Sequence, residues 1–217
     1  MALPAACLLV SAAVAGCAGA TPPAGATLTA RLTERAQLRA APAGQVVAAV
    51  GRFTEYGSRR VYRVVGRHGD WLGVLAPERP NGRTGWIKAE HAVLGSVRRT
   101  IVVDRSARRL ELLRGGREVR RMTVTVGAPS SPTPLGHFAI TDKLRMEHGS
   151  IYGCCALALS GSQTRGRLAG VRLAIHGTRV PERLGRAASN GCARATTRDL
   201  RRLMRTVPLG TPVTVVR

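Results

Sequence analysis

Val171-Arg172-Leu173-Ala174-Ile175-His176-Gly177-Thr178, and beyond it Ser189-Asn190-Gly191-Cys192-Ala193-Arg194, are the stretches on which the reading of this chain turns. In the first, Val171, Leu173 and Ile175 alternate with less apolar residues, the period of a strand, which ends at His176. The second places a cysteine in a glycine-containing turn, and Gly191 allows such a turn without steric cost. A thiol attacks only as its thiolate, and a neighbouring imidazole can take its proton. A helix following Cys192 is expected to favour the thiolate through its dipole. The N–H groups of Gly191 and Cys192 are expected to face a developing oxyanion. Spacing alone does not separate this site from a buried thiol beside a structural imidazole.

The surrounding sequence is mostly strand-like. Thr100–Asp104 reads as a strand, and Arg109–Leu113 pairs with Glu118–Arg120 and Met122–Val126 across a turn at Gly115-Gly116. Pro129, Pro132 and Pro134 mark a loop, after which Gly136–Thr141 resumes a strand. One helix is predicted. Thr196 caps it with Asp199 as capping-box partner, Leu200, Leu203, Met204 and Val207 form its apolar face, and Pro208 and Gly210 end it. Pro212–Val216 is a terminal strand. The expectation is a β domain with one helix behind the active loop.

The order of these motifs resembles the L,D-transpeptidases of the YkuD type. The resemblance rests on Ile175-His176-Gly177-Thr178, Leu184-Gly185, Ser189, Gly191-Cys192 and Arg194, on Pro132-Thr133-Pro134-Leu135-Gly136-His137-Phe138 upstream, and on Gly210-Thr211-Pro212-Val213 at the end. It covers roughly residues 98–217, within a catalytic domain expected over 97–217. It implies Cys192 as nucleophile and His176 as base, with Gly191, Ser189 and Asn190 forming the oxyanion loop and Arg194, Gly177 and Tyr152 touching substrate. Asn190 stands where the family usually has a second His. The substrate implied is a peptidoglycan stem peptide, joined to another through a thioester on Cys192, without a cofactor. Arg194 is read either as a carboxylate ligand or as a loop clamp, and Ser189 as orienting His176 or the turn. A hydrolase acting through the same site, and a non-catalytic wall-binding protein anchored by lipid, stay open as alternatives.

Residues 28–95 carry short β-prone runs: Gln45–Val50, Arg60–Val65 and Trp71–Leu75. Asn81-Gly82 is a tight-turn signal. Leu38-Arg39-Ala40-Ala41-Pro42 and Gly85-Trp86-Ile87 resemble a bacterial SH3-type domain, a family that often binds wall peptides. Trp71 and Trp86 are expected in its core rather than lining a groove. The fold class expected is therefore mainly β: a small SH3-like barrel, then a YkuD-type β-sandwich with one or more short helices.

Of the 217 residues 44% are hydrophobic but only 3% aromatic, so aliphatic side chains must build the cores. Thirty-four basic against 12 acidic residues give +22, nearly all from arginine, since Lys88 and Lys143 are the only lysines. Such charge suits polyanions. The arginines are scattered rather than gathered in a basic tail, which points away from nucleic acid and leaves anionic wall polymers or lipid head groups as expected partners, beside the plain reading of a merely solvated charge. Residues 1–16 are a short apolar stretch, too short to span a bilayer and suited to a signal peptide. They run into Val14-Ala15-Gly16-Cys17, which resembles a lipobox. That implies cleavage before Cys17, a lipid on its thiol, a tether over residues 17–27, and anchorage at the outer face of the membrane. Downstream of it remain Cys154, Cys155 and Cys192. Cys154 and Cys155 are read as packed thiols in preference to a vicinal disulfide, and no His or Asp near them suits a metal.

Overall fold

The computed structural model describes residues 22–217; the signal and lipobox calls, Cys17 included, lie outside them. Alternation builds the first sheet. In β2 (Ala36–Arg39) Ala36 and Leu38 are buried while Gln37 is exposed, and in β6 (Gly85–Lys88) Gly85 and Ile87 face inward. With β1 (Thr27–Leu32), β3 (Val46–Val50), β4 (Val61–His68), β5 (Trp71–Leu75) and β7 (Ala92–Val97) they form a seven-stranded antiparallel sheet ordered β3-β2-β6-β5-β4-β1-β7. Leu32, Leu38, Tyr62, Leu72, Val74 and Ile87 make its core.

The predicted Asn81-Gly82 turn forms, with Arg83 N–H donating to Pro80 O at 2.9 Å and Gly82 at φ +77°. The tryptophans depart from expectation, since neither joins the core. Trp71 ends half-exposed on the rim of a hollow of about 460 Å³, where Arg39 and Lys88 each lie 5.9 Å from its ring. Two cations over one ring keep the indole at the surface, where the cations stay hydrated.

A second core begins after Val97. β8 (Arg99–Asp104), β9 (Arg109–Arg114), β10 (Arg117–Thr123), β12 (Gly136–Arg145), β13 (Cys155–Ser162), β14 (Arg172–Gly177), β16 (Ala193–Ala195) and β17 (Pro212–Val216) form one sheet ordered β10-β9-β8-β17-β12-β13-β14-β16. β11 (Val126–Gly127) and β15 (Ala187–Ser189) make a small parallel pair. β17 runs parallel to β8 and antiparallel to β12, so the last strand is zipped into the middle of the sheet. The helix α1 (Thr197–Thr206) packs Leu200 and Leu203 into this core, with Thr196 accepting from the Asp199 N–H at 3.0 Å. Asp199 does not reciprocate through its carboxylate. That group accepts from the Thr196 hydroxyl and from Arg120 at 2.7 Å, closing a local ion pair instead.

β13 was not legible as a strand. Its Ala156, Leu157, Ala158 and Leu159 are good helix formers, and the strand is buried along nearly its whole length, so no alternation marks it.

Candidate active site

β14 and β16 lie side by side in parallel, with Ile175 opposite Ala193 and His176 opposite Arg194. Side chains two residues apart share a face of a sheet. This register therefore brings Ala174 and His176 to the same face as Cys192 and Arg194. All four line one cleft of about 440 Å³, whose other walls include Tyr152, Leu168, Val171, Arg172, Val180 and Asn190.

His176 is 3% exposed. Its Nδ1 donates to Gly177 O at 2.6 Å, since a carbonyl can only accept; the neutral ring then carries its proton on Nδ1 and leaves Nε2 with a free lone pair. Tyr152 stands edge-on to the ring, centroids 5.0 Å apart. Burial pushes the imidazole pKa down to about 4 against hydrogen bonds to the Gly177 and Tyr152 carbonyls, and the Arg194 charge lowers it further. Burial pushes the Cys192 thiol up, opposed by a backbone hydrogen bond from Ala174 and by Arg194. Both shifts favour the neutral pair, a thiol beside an imidazole, over the charged one. No hydrogen bond joins the two side chains among the described residues. Two charges taken out of water here would have little to solvate them.

The expected helix dipole is also absent from Cys192. Strand β16 intervenes before α1, because Ala193–Ala195 complete the sheet beside β14 and Arg194 exchanges backbone hydrogen bonds with Thr125 at 2.8 and 2.9 Å.

The loop before the thiol is held from inside. Ser189 Oγ accepts from Gly191 N–H at 3.0 Å and donates to Cys192 O at 2.7 Å. Ser189 therefore shapes the turn rather than orienting His176. The Gly191 N–H is committed, which leaves the Cys192 N–H of the two donors expected at an oxyanion. Gly191 has φ +119°, and a Cβ there would sit 2.0 Å from Gln163 Nε2, so only glycine fits. Gln163 donates to Asn190 O at 2.9 Å and to Ser131 Oγ at 2.9 Å. No local pattern in the sequence marks Gln163. The proline loop that carries Ser131 is itself tied down, with Thr133 Oγ1 accepting from Gly127 N–H at 2.9 Å.

Gly177, expected to touch substrate, is instead buried against the 152–154 segment; a Cβ there would meet Tyr152 O and Cys154 N at 3.1 Å. Arg194 does face the cleft, and its Nε is buried with no partner among the described residues. Arg172 shares the cleft but is fully engaged, donating to Leu159 O at 2.6 Å, Thr141 Oγ1 at 2.9 Å, Asp142 Oδ2 at 3.3 Å and Glu55. The rim loop is tied by Arg179 donating to Gly149 O at 2.8 Å, which sets the exposed Ile151 over the cleft. Cys154 and Cys155 are paired with each other through their sulfurs rather than packed as two thiols, leaving Cys192 as the free cysteine of the described residues.

Comparison with known proteins covers the stretch of chain that carries this site. The L,D-transpeptidase catalytic domain model of the YkuD family matches residues 98–215. The L,D-transpeptidase YkuD assigned in Bacillus licheniformis is 33% identical over 115 residues, 53% of this chain and 64% of that protein. Its counterpart in Bacillus subtilis is 33% identical over 117 residues, 54% of this chain and 65% of that protein. The chain thus spans just under two thirds of the length of these relatives. Among solved structures, an L,D-transpeptidase from Mycobacterium smegmatis is similar at a TM-score of 0.49 and 15% identity, covering 85% of this chain and 99% of that one. With the His176 strand, the Cys192 turn and all but the last residue of the closing strand β17 inside the matched span, the chain belongs to the YkuD family of L,D-transpeptidase catalytic domains.

Proposed function

We propose that the protein is a peptidoglycan L,D-transpeptidase. The observation that carries this reading is the joint presence of Cys192, His176 and Arg194, whose Nε has no partner among the described residues, in one cleft within the family's catalytic span. The third residue of a tetrapeptide stem, a diamino acid, presents its carbonyl to Cys192. As the sulfur attacks, His176 Nε2 takes the thiol proton. The tetrahedral oxyanion is met by the Cys192 N–H. His176 then returns the proton to the departing amine of the terminal D-alanine, leaving a thioester. The side-chain amine of a second stem attacks it, losing a proton to His176, and the thiol is restored. Arg194 holds a substrate carboxylate with charge-assisted hydrogen bonds, and Leu168, Val171 and Val180 keep water from the thioester.

In this reading the chain is exported and held by lipid on Cys17 at the outer face of the membrane, as the lipobox-like Val14–Cys17 implies. The first sheet serves as an SH3-like module. The Trp71 hollow, where Arg35, Arg39 and Lys88 outnumber Glu90, suits anionic wall polymers. The test is incubation with a disaccharide tetrapeptide. The expected product is a dimer that has lost one D-alanine, absent with Cys192→Ala. Release of D-alanine without dimer would make the protein a hydrolase, and no release at all would remove both activities.

A further inference from the structure

The two sheets meet through polar contacts that lead to the active loop. The Asn81 side chain mimics a strand: its Nδ2 donates to Ser162 O at 2.7 Å and its Oδ1 accepts from Ser162 N–H at 2.9 Å. Ser162 is the last residue of β13, and the next residue is Gln163, whose amide holds Asn190 O, two residues before Cys192. A Cβ on Gly161 would fall 2.9 Å from Asn81 Oδ1 and 2.2 Å from Phe138, so the sequence keeps glycine where the turn docks.

A second route runs through β14. Thr54, 8% exposed, donates from Oγ1 to Oδ1 of Asp142, which is fully buried. Asp142 Oδ2 accepts from Arg172, whose guanidinium also meets Glu55 and lies 5.9 Å from the Tyr56 ring. Arg172 begins the strand that carries Ala174 and His176. Elsewhere a Cβ on Gly210 would meet Thr29 and Val61 of the first sheet at 2.8 and 3.0 Å, a third point of close contact.

We propose that the first sheet is a working part of the active site, with Asn81 positioning Cys192 through Ser162 and Gln163, and Thr54 positioning His176 through Asp142 and Arg172. The roles of Cys192 and His176 rest on the function proposed above; the mechanical coupling does not. Both routes end on groups shielded from water, His176 at 3% exposure and Cys192 only partly exposed in the cleft, so loosening either admits more water to the site. Neither Asn81 nor Thr54 lines the cleft.

The test uses the full chain and two reagents. Iodoacetamide, read by mapping the Cys192 peptide between pH 6 and 10, reports thiolate and access whatever the enzyme does. Imipenem acylation, read by intact mass, reports the aligned site. In Asn81→Ala the alkylation rate at pH 8 is expected to rise about fivefold, its pH midpoint to fall, and imipenem acylation to drop about tenfold, with Asn81→Asp between the two because it still accepts from Ser162 N–H. Thr54→Val probes the other route, and so keeps the test open where Asn81→Ala fails to fold; there acylation is expected to drop about fivefold. Folded variants whose alkylation, pH midpoint and acylation all stay within twofold of the parent overturn the proposal, even where their Tm falls. A parent chain that imipenem does not acylate, with alkylation still rising in Asn81→Ala, sinks the proposed function and leaves the coupling standing.

Discussion

Arg172 and Arg194 line the same cleft, and they differ in what is left for a ligand. Arg172 spends its guanidinium on a backbone carbonyl, a hydroxyl and two carboxylates, one of them fully buried. Arg194, on the neighbouring strand, keeps a buried Nε with no partner among the described residues. A saturated arginine fixes structure, because removing it strands Asp142 as an uncompensated buried charge. An unsaturated one is a site held ready for an incoming acceptor. Residue type does not distinguish the two; only the accounting of donors and acceptors does.

The largest effect lies with the group both arginines surround. Cys192→Ala is expected to lower transfer activity by at least about 10⁴-fold, as loss of a nucleophile does, with Tm unchanged or raised; a variant within tenfold of the parent would break the assignment. Arg172→Ala comes next and is expected to lose about 3 kcal/mol in denaturant unfolding, the lower end for a broken buried pair because Arg172 retains some exposure. Equal, small losses in Arg172→Ala and Arg194→Ala would erase the contrast. Arg194→Ala is expected to change stability by less than about 0.5 kcal/mol while slowing Cys192 acylation about ten- to a hundredfold.

His176 sharpens the picture through pH. Its folded pKa of about 4 lies below the ordinary value of 6.5, so the unfolded chain binds the proton first. Stability is therefore complete above about pH 6.5 and falls as pH drops toward 4, by up to roughly 3 kcal/mol. In His176→Gln that slope should flatten across the same window, as seen in urea midpoints; an unchanged slope would assign the titration to another group. The smallest effect expected is Thr196→Ala, which removes the cap of α1 and costs about 1 kcal/mol. Because β16 separates that cap from the thiol, Cys192 alkylation should not change.

Much of this molecule is written locally. Thr100–Asp104, Arg109–Leu113, Trp71–Leu75 and the Thr196 cap were legible because alternation, turn glycines and capping are short-range properties. Cys192 and His176 were legible because the turn, the strand end and their neighbours occur in a fixed order. What escaped was long-range. Gln163, Asp142 and Arg172 act through partners roughly 30 residues away, and Thr54 lies 88 residues from its acceptor. The burial of His176 escaped for the same reason, since burial is a property of the assembled sheet. Trp71 was misplaced because the cations over its ring come from two other strands.

The most direct test of the cleft's chemistry is the intact mass of the protein after incubation with imipenem, a strained β-lactam that an activated thiol opens. One adduct is expected, mapped to Cys192, absent in Cys192→Ala and formed far more slowly in His176→Ala. An adduct that forms at the parental rate in His176→Ala, or that maps to another residue, would contradict the pairing of this imidazole with this sulfur.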